Sequence, residues 1–150
     1  MQVIKDKQIV NDSWNSIADE VSVSDGDITV SFARWQQHKQ DLLNHNGKLG
    51  IRIGPDDSVA DLANDLDKLQ LIELDFPDFA DGRLFSQAWL LRSRYGYQGE
   101  IRATGKYMPD QVFHLSRVGV NSFNPENQER LAMELNNLND FTVSYQQSVN

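Results

Sequence analysis

The chain has no cysteine among its 150 residues. That absence excludes a disulfide framework, a thiolate nucleophile, and zinc or iron–sulfur centres held by sulfur. Histidine is scarce too, with only His38, His45 and His114. His38 and His45 fall seven apart, near one helix face, without a third ligand, so neither a metal centre nor a resident cofactor is expected. No apolar run reaches the length that spans a bilayer. The opening MQVIKDKQIV lacks the apolar stretch of a signal peptide. A cytoplasmic protein without membrane contact is therefore the expectation. Nucleotide fingerprints are also missing. There is no GxGxxG, and Gly105-Lys106-Tyr107 lacks the leading glycine and the Ser/Thr of a P-loop. Ser86 stands outside any GxSxG, which argues against a hydrolase nucleophile.

What is present describes a folded chain. The hydrophobic fraction of 39% with three Trp fits a globular protein. The length fits a single domain whose core needs no covalent staples. The formal net charge of −8 disfavours nucleic acid as a partner. The charge is uneven, however. Between Gly82 and Gly119 lie six basic residues (Arg83, Arg92, Arg94, Arg102, Lys106, Arg117) and two acidic ones, Glu100 and Asp110. That stretch is a positive island on an acidic protein, which suits a small anion or an acidic partner surface. Alternatively, Arg92 and Arg94 are simply solvated on a helix.

Patterning divides the chain into an N-terminal hairpin and loop (1–27) and an alternating β/α core (28–150). VIKDKQIV predicts a hairpin turning at Lys5-Asp6-Lys7, and Asn11 to Gly26 reads as loop, anchored by Trp14. Strands are expected at Ile28–Ser31, Leu49–Ile53, Leu71–Phe76, Gly99–Thr104 and Asn121–Asn124. Ser31 caps a helix running to about Asn44. Ser58 and Asp61 resemble a capping box ahead of helically spaced Leu62, Leu66 and Leu69. After Gly82, Leu84, Ala88, Leu91 and Tyr95 share one helix face. Pro109 opens a short helix that Gly119 stops. Asn124-Pro125-Glu126 opens a last one carrying Leu131, Leu135 and Leu138. Phe141–Gln146 reads as a terminal strand or arm, and Trp35, Trp89 and Phe113 are assigned to the core. Strands separated by single helices imply a mainly parallel α/β sheet, either open and doubly wound or half-barrel-like with strands in sequence order.

In such sheets ligands bind beyond the carboxyl ends of the strands. That rule selects Gly54, Asp75, Thr104 to Lys106, and Ser122. Arg83 and Ser86 at one helix start, with Arg102 and Lys106 around the end of the fourth strand, could cradle an oxyanion. Asp75 is the one candidate general base, sharing a strand face with Glu73. The competing reading is structural: Asp75 or Asp81 pairs with Arg83 or Arg102, and Asp81 and Ser86 only cap. Arg102 could instead be buried between sheet and helix, where it needs a carboxylate such as Asp75 or Glu100.

The segments LIELDFPDFADGR (71–83), SQAWLLRSRYGYQGEIRATG (86–105) and DQVFHLSRVGVNSF (110–123) resemble a bacterial family, domain of unknown function family 934. Fainter echoes are QIVNDSW (8–14), VSFARW (30–35) and LGIRI (49–53). The resemblance implies an association with sulfite reductase genes, and hence a place in sulfur assimilation, without implying an activity. The motif positions are Asp75, Asp81, Gly82, Arg83, Ser86, Arg92, Gly99, Arg102, Gly105, Asp110 and Gln111. Of these, Asp81, Gly82, Gly105, Asp110 and Gln111 are the structural, orienting set. Where members of that family commonly carry Asp and Cys, this chain has Lys106 and Val118, so no thiol mechanism is available to it. Taken together, the sequence points to an accessory protein that binds sulfite reductase, another sulfur-assimilation protein or a small anion. The competing expectation is a small enzyme with an Asp base and an Arg clamp.

Overall fold

A computed structural model describes residues 1–79 and 81–139. Eight strands make one curled, half-barrel sheet: β1 (Gln2–Lys5), β2 (Gln8–Asn11), β3 (Asn15–Ser16), β4 (Ile28–Ser31), β5 (Leu49–Ile53), β6 (Leu71–Phe76), β7 (Glu100–Gly105) and β8 (Ser122–Pro125). Their spatial order is β2-β1-β8-β7-β6-β5-β4-β3. From β3 to β8 each strand pairs parallel with the next. The hairpin strand β1 is antiparallel to both β2 and β8. The sheet is therefore mixed, and the expected mainly parallel sheet needs correcting. The hairpin does not sit apart from the core but extends its sheet beyond β8. The doubly wound alternative is not realised either. Six parallel strands in sequence order are joined by five crossovers, which the right-handed rule puts on the same face.

The helices are α1 (Phe32–Leu43), α2 (Arg83–Ser93), α3 (Val112–Arg117) and α4, residues 131–139. Ser31 caps α1 by accepting from the Arg34 amide at 3.1 Å. Leu84, Ala88 and Leu91 form the buried stripe of α2, which Gly96 ends with a φ of 64°. Between β5 and β6 the expected helix is two short 3₁₀ turns, Val59–Leu62 and Leu66–Lys68. Leu62, Leu66 and Leu69 are buried all the same, so their spacing reports burial and not a continuous helix. The last helix starts later than expected, with the Asn127 side chain accepting from the Glu129 amide. The expected strand at Phe141–Gln146 lies outside the described residues. Among the described residues no helix is long and apolar enough to cross a membrane.

Alternation gives the sheet two unlike faces. Ile28, Val30, Ile51, Ile53, Ile72, Leu74, Ile101, Ala103 and Phe123 point outward into one apolar core with Trp35 and the helix stripes. The inner face carries Thr29, Arg52, Glu73, Glu100, Arg102 and Ser122. The register sets Arg52, Glu73, Arg102 and Ser122 side by side across β5 to β8. Among the described residues no helix covers this face. Residues 12–14 cross it, because β2 and β3 are the two outer edges of the sheet and only these residues join them. Contrary to the sequence expectation, Trp89 is 56% exposed on α2.

Candidate functional site

The inner face is a buried polar layer with its charges matched. Arg102 is 2% exposed. Its Nε donates to Ser122 Oγ at 3.0 Å and its Nη2 to Glu100 Oε2 at 2.8 Å, while Nη1 lies 3.2 Å from Asp12 Oδ2. Lys5 adds a cation 3.5 Å from Glu100. The predicted partner Glu100 is thus found. The second is Asp12, from the segment crossing the face, rather than Asp75, and the cover over Arg102 is that segment, not a helix. Arg52 donates four hydrogen bonds, all to neutral oxygens: Ser16 Oγ, Ile17 O, Thr29 O and Thr29 Oγ1, at 2.7–3.0 Å.

Glu73 lies between these two arginines and is 6% exposed. Burial raises its pKa above the ordinary carboxylate value, against the opposing pull of Arg102, the Thr29 hydrogen bond and Arg52. A raised folded-state pKa means that the stability associated with this carboxyl is complete below the unfolded value. It is lost as pH rises through the folded value. Glu73→Gln removes that titration. Urea midpoints measured from pH 4 to pH 7 should show a smaller decline with rising pH in the variant than in the native protein. Glu134, which is shifted the same way by burial, keeps its own share in both.

Above this layer, at the carboxyl ends of β4 to β6, opens a cavity of about 250 Å³ lined by Asp19, Ser31, Arg52, Gly54, Asp57 and Asp75. Ser31 Oγ donates to Asp19 Oδ1 at 2.6 Å, and the Gly54 amide donates to Asp57 Oδ2 at 2.8 Å. Asp75 is exposed here, one row above Glu73. Three carboxylates around one guanidinium make this mouth acidic.

Of the residues expected to hold an anion, Arg83 and Arg102 take separate partners. Arg83 is exposed at the start of α2. Asp81 accepts from its Nε and Nη2 at 3.0 and 2.6 Å, and Asp56 accepts from Nη1 at 2.6 Å. This pairing holds the Asp81 pKa below the ordinary value and raises that of Arg83. Asp81 also accepts from the Arg83 amide, the local hydrogen bond expected of it, while α2 itself starts at Gly82 without a side-chain cap. Ser86 is exposed one turn later, and Lys106 is exposed just past β7. Gly82 precedes α2 at a φ of −76°, with open space where a Cβ would stand, so the helix start does not demand glycine. Gly105 is different. Its φ is +86°, and a Cβ would lie 2.4 Å from the Phe76 carbonyl oxygen. Only glycine lets β7 turn there and the Lys106 amide donate to Phe76 O at 2.8 Å.

Gln111 joins two strand-end loops. Its Oε1 accepts from the Met108 amide at 2.7 Å, and its Nε2 donates to Phe79 O at 2.8 Å. Phe79 and Met108 are 55% and 43% exposed, and Asp110 is exposed beside them. The sequence reading passed over Asp12, Arg52, Phe79 and Met108. A signal for Arg52 existed: LGIRI, LIELDF and EIRATG each carry a charge in the phase opposite to their Ile residues, which marks a polar inner face. Among the described residues no group of three or more His, Asp or Glu is placed to hold a metal ion.

Comparison with known proteins returns no match among curated proteins and none among solved structures. The model of a family described as bacterial protein of unknown function matches residues 50–150, which takes in β6, α2, β7 and the Gln111 latch. With two thirds of its length matched, and with the strand-end loops built from the residues that carried the resemblance, the chain belongs to the bacterial family of unknown function DUF934.

Proposed function

We propose that this chain is a cytoplasmic accessory protein of sulfite reduction that works by docking onto a partner protein. The pathway rests on the association implied by the family resemblance. The mode of action rests on one observation: Phe79 and Met108 are exposed on adjacent strand-end loops that Gln111 latches together. Phe and Met are enriched in protein–protein interfaces relative to the rest of a protein surface. Around them stand Asp75, Asp78, Asp81 and Asp110, with Lys106 and with an Arg83 already matched by Asp81 and Asp56. The surface is apolar at its centre and acidic at its rim, which suits a partner with a basic surface around an apolar recess. A small-anion role for this surface fits less well, because Arg83 already meets two carboxylates.

The test is binding to purified sulfite reductase, read by pull-down and titration. A Phe79→Ser/Met108→Ser protein should bind at least about ten-fold more weakly than the native chain, since a truncated hot spot costs about 2 kcal/mol or more. Its melting temperature should change little, because both side chains stand about half exposed. Equal binding by the two proteins would remove this surface from the reading. A deletion strain should fail to grow on sulfate or sulfite and recover on sulfide. Growth on all four of sulfate, sulfite, sulfide and cysteine would remove the pathway.

A further inference from the structure

Residues 12–14 cross the inner face where its two guanidinium groups sit and run into the two-residue edge strand β3 and Ile17. Ser13, Asn15 and Ser16 are exposed, Trp14 is half-buried, and Ile17 is the one fully buried apolar residue of the segment. The backbone is tied at Asp12 N to Met1 O, Asn15 N to Asp27 O and Ile17 N to Thr29 O. An edge segment with so little buried apolar area opens at a lower free-energy cost than the central strands of the sheet. Yet its polar atoms fill important positions. Asp12 carries an oxygen 3.2 Å from Arg102 Nη1, and its side chain is only 7% exposed. Ser16 Oγ and Ile17 O take two of the hydrogen bonds donated by Arg52.

We infer that this segment is a displaceable strap over a small-oxyanion site, with the Asp12 carboxylate standing where the oxyanion would bind. Guanidinium groups recognise carboxylates and tetrahedral oxyanions by the same charge-assisted hydrogen bonds. Lifting the strap frees one donor edge of Arg102 and two hydrogen bonds of Arg52, which flank Glu73 in a single row. Glu100 and Ser122 stay in place and keep Arg102 fixed in its rotamer. The raised pKa of Glu73 reduces the negative charge that an incoming anion would meet. The site is distinct from the Phe79–Met108 surface, and it stands or falls independently of partner docking.

The probe is inorganic sulfate, titrated calorimetrically with sodium chloride at matched ionic strength as control. Asp12→Asn keeps the shape of the strap and removes its charge. It should bind sulfate at least about ten-fold more tightly than the native chain, as expected when a competing charge-assisted contact is withdrawn. A second measurement uses the native protein alone. Saturating sulfate should speed amide hydrogen exchange at residues 12–17 and leave β5 to β7 unchanged. A folded Asp12→Asn protein with no gain in sulfate affinity would overturn the inference. If that variant does not fold, native exchange at residues 12–17 that sulfate leaves unchanged would overturn it equally.

Discussion

Arg102→Met should lower the stability of the protein by about 3–5 kcal/mol, the range for a buried ion pair stripped of one partner. The methionine fills similar volume, so the loss is electrostatic. Asp12 and Glu100, each with a side chain 7% exposed, both lose the guanidinium, and Glu100 keeps only the half-exposed Lys5. Ser122, which is fully buried, also loses the donor it accepted from. Urea unfolding at pH 7 measures the loss directly. Replacing Asp12 and Glu100 by Leu in the same protein should restore much of the stability, because a buried charge network can be exchanged for apolar groups of similar volume at little net cost. If the single variant is as stable as the native chain, the inner face is wetter than its burial indicates.

Arg92→Ala should cost about 3 kcal/mol or more, since several hydrogen bonds from a charged donor are lost and their acceptors are partly buried. The Arg92 Nε donates to Gly119 O at 3.0 Å, and Nη1 donates to Tyr97 O and Gly99 O, both at 2.8 Å. These three carbonyls belong to the turn after α3 and to the loop between α2 and β7. One guanidinium therefore ties two connections to one helix. Its stem lies against Gly119, where a Cβ would stand 2.3 Å from Arg92 Cγ. Thermal denaturation of Arg92→Ala and Arg92→Lys gives the check. The Lys protein should also be weakened, because an ammonium on a flexible stem cannot reproduce the planar fork. A change within 0.5 kcal/mol, the usual range for surface substitutions, would return Arg92 to the solvated role that charge patterning alone allows.

Arg92 also shows where sequence reading stops. A helical Arg in the last turn looks the same whether it reaches water or three carbonyls, because the acceptors lie in loops whose path local pattern does not define. The strands were legible for the opposite reason. Ile28–Ser31, Leu49–Ile53 and Leu71–Phe76 alternate over apolar residues and end at turn residues, and their limits agree with the structure. Gly96, Gly105 and Gly119 mark real chain reversals, all at positive φ. The mixed character of the sheet was hidden because β1 finds its partner β8 at the far end of the chain. The two-residue strand β3 was hidden inside a polar segment too short to show a period. The pair Asp12–Arg102 joins residues with no pattern in common, so burial of Arg102 could be expected while one of its two carboxylates could not.

The pairing of Ile4 with Phe123 sets the order in which the chain can fold as it is made. The β1–β2 hairpin is synthesised first, but its place in the sheet does not exist until β8 has been made. Meanwhile β4 to β7 can assemble one after another, each against the strand just before it. The final joining step brings together residues separated by most of the chain, the kind of non-local contact that slows folding. Until then the free edge of β7 is open to other chains. A nascent chain held on the ribosome before residue 125 is thus the form most exposed to aggregation and most in need of a chaperone.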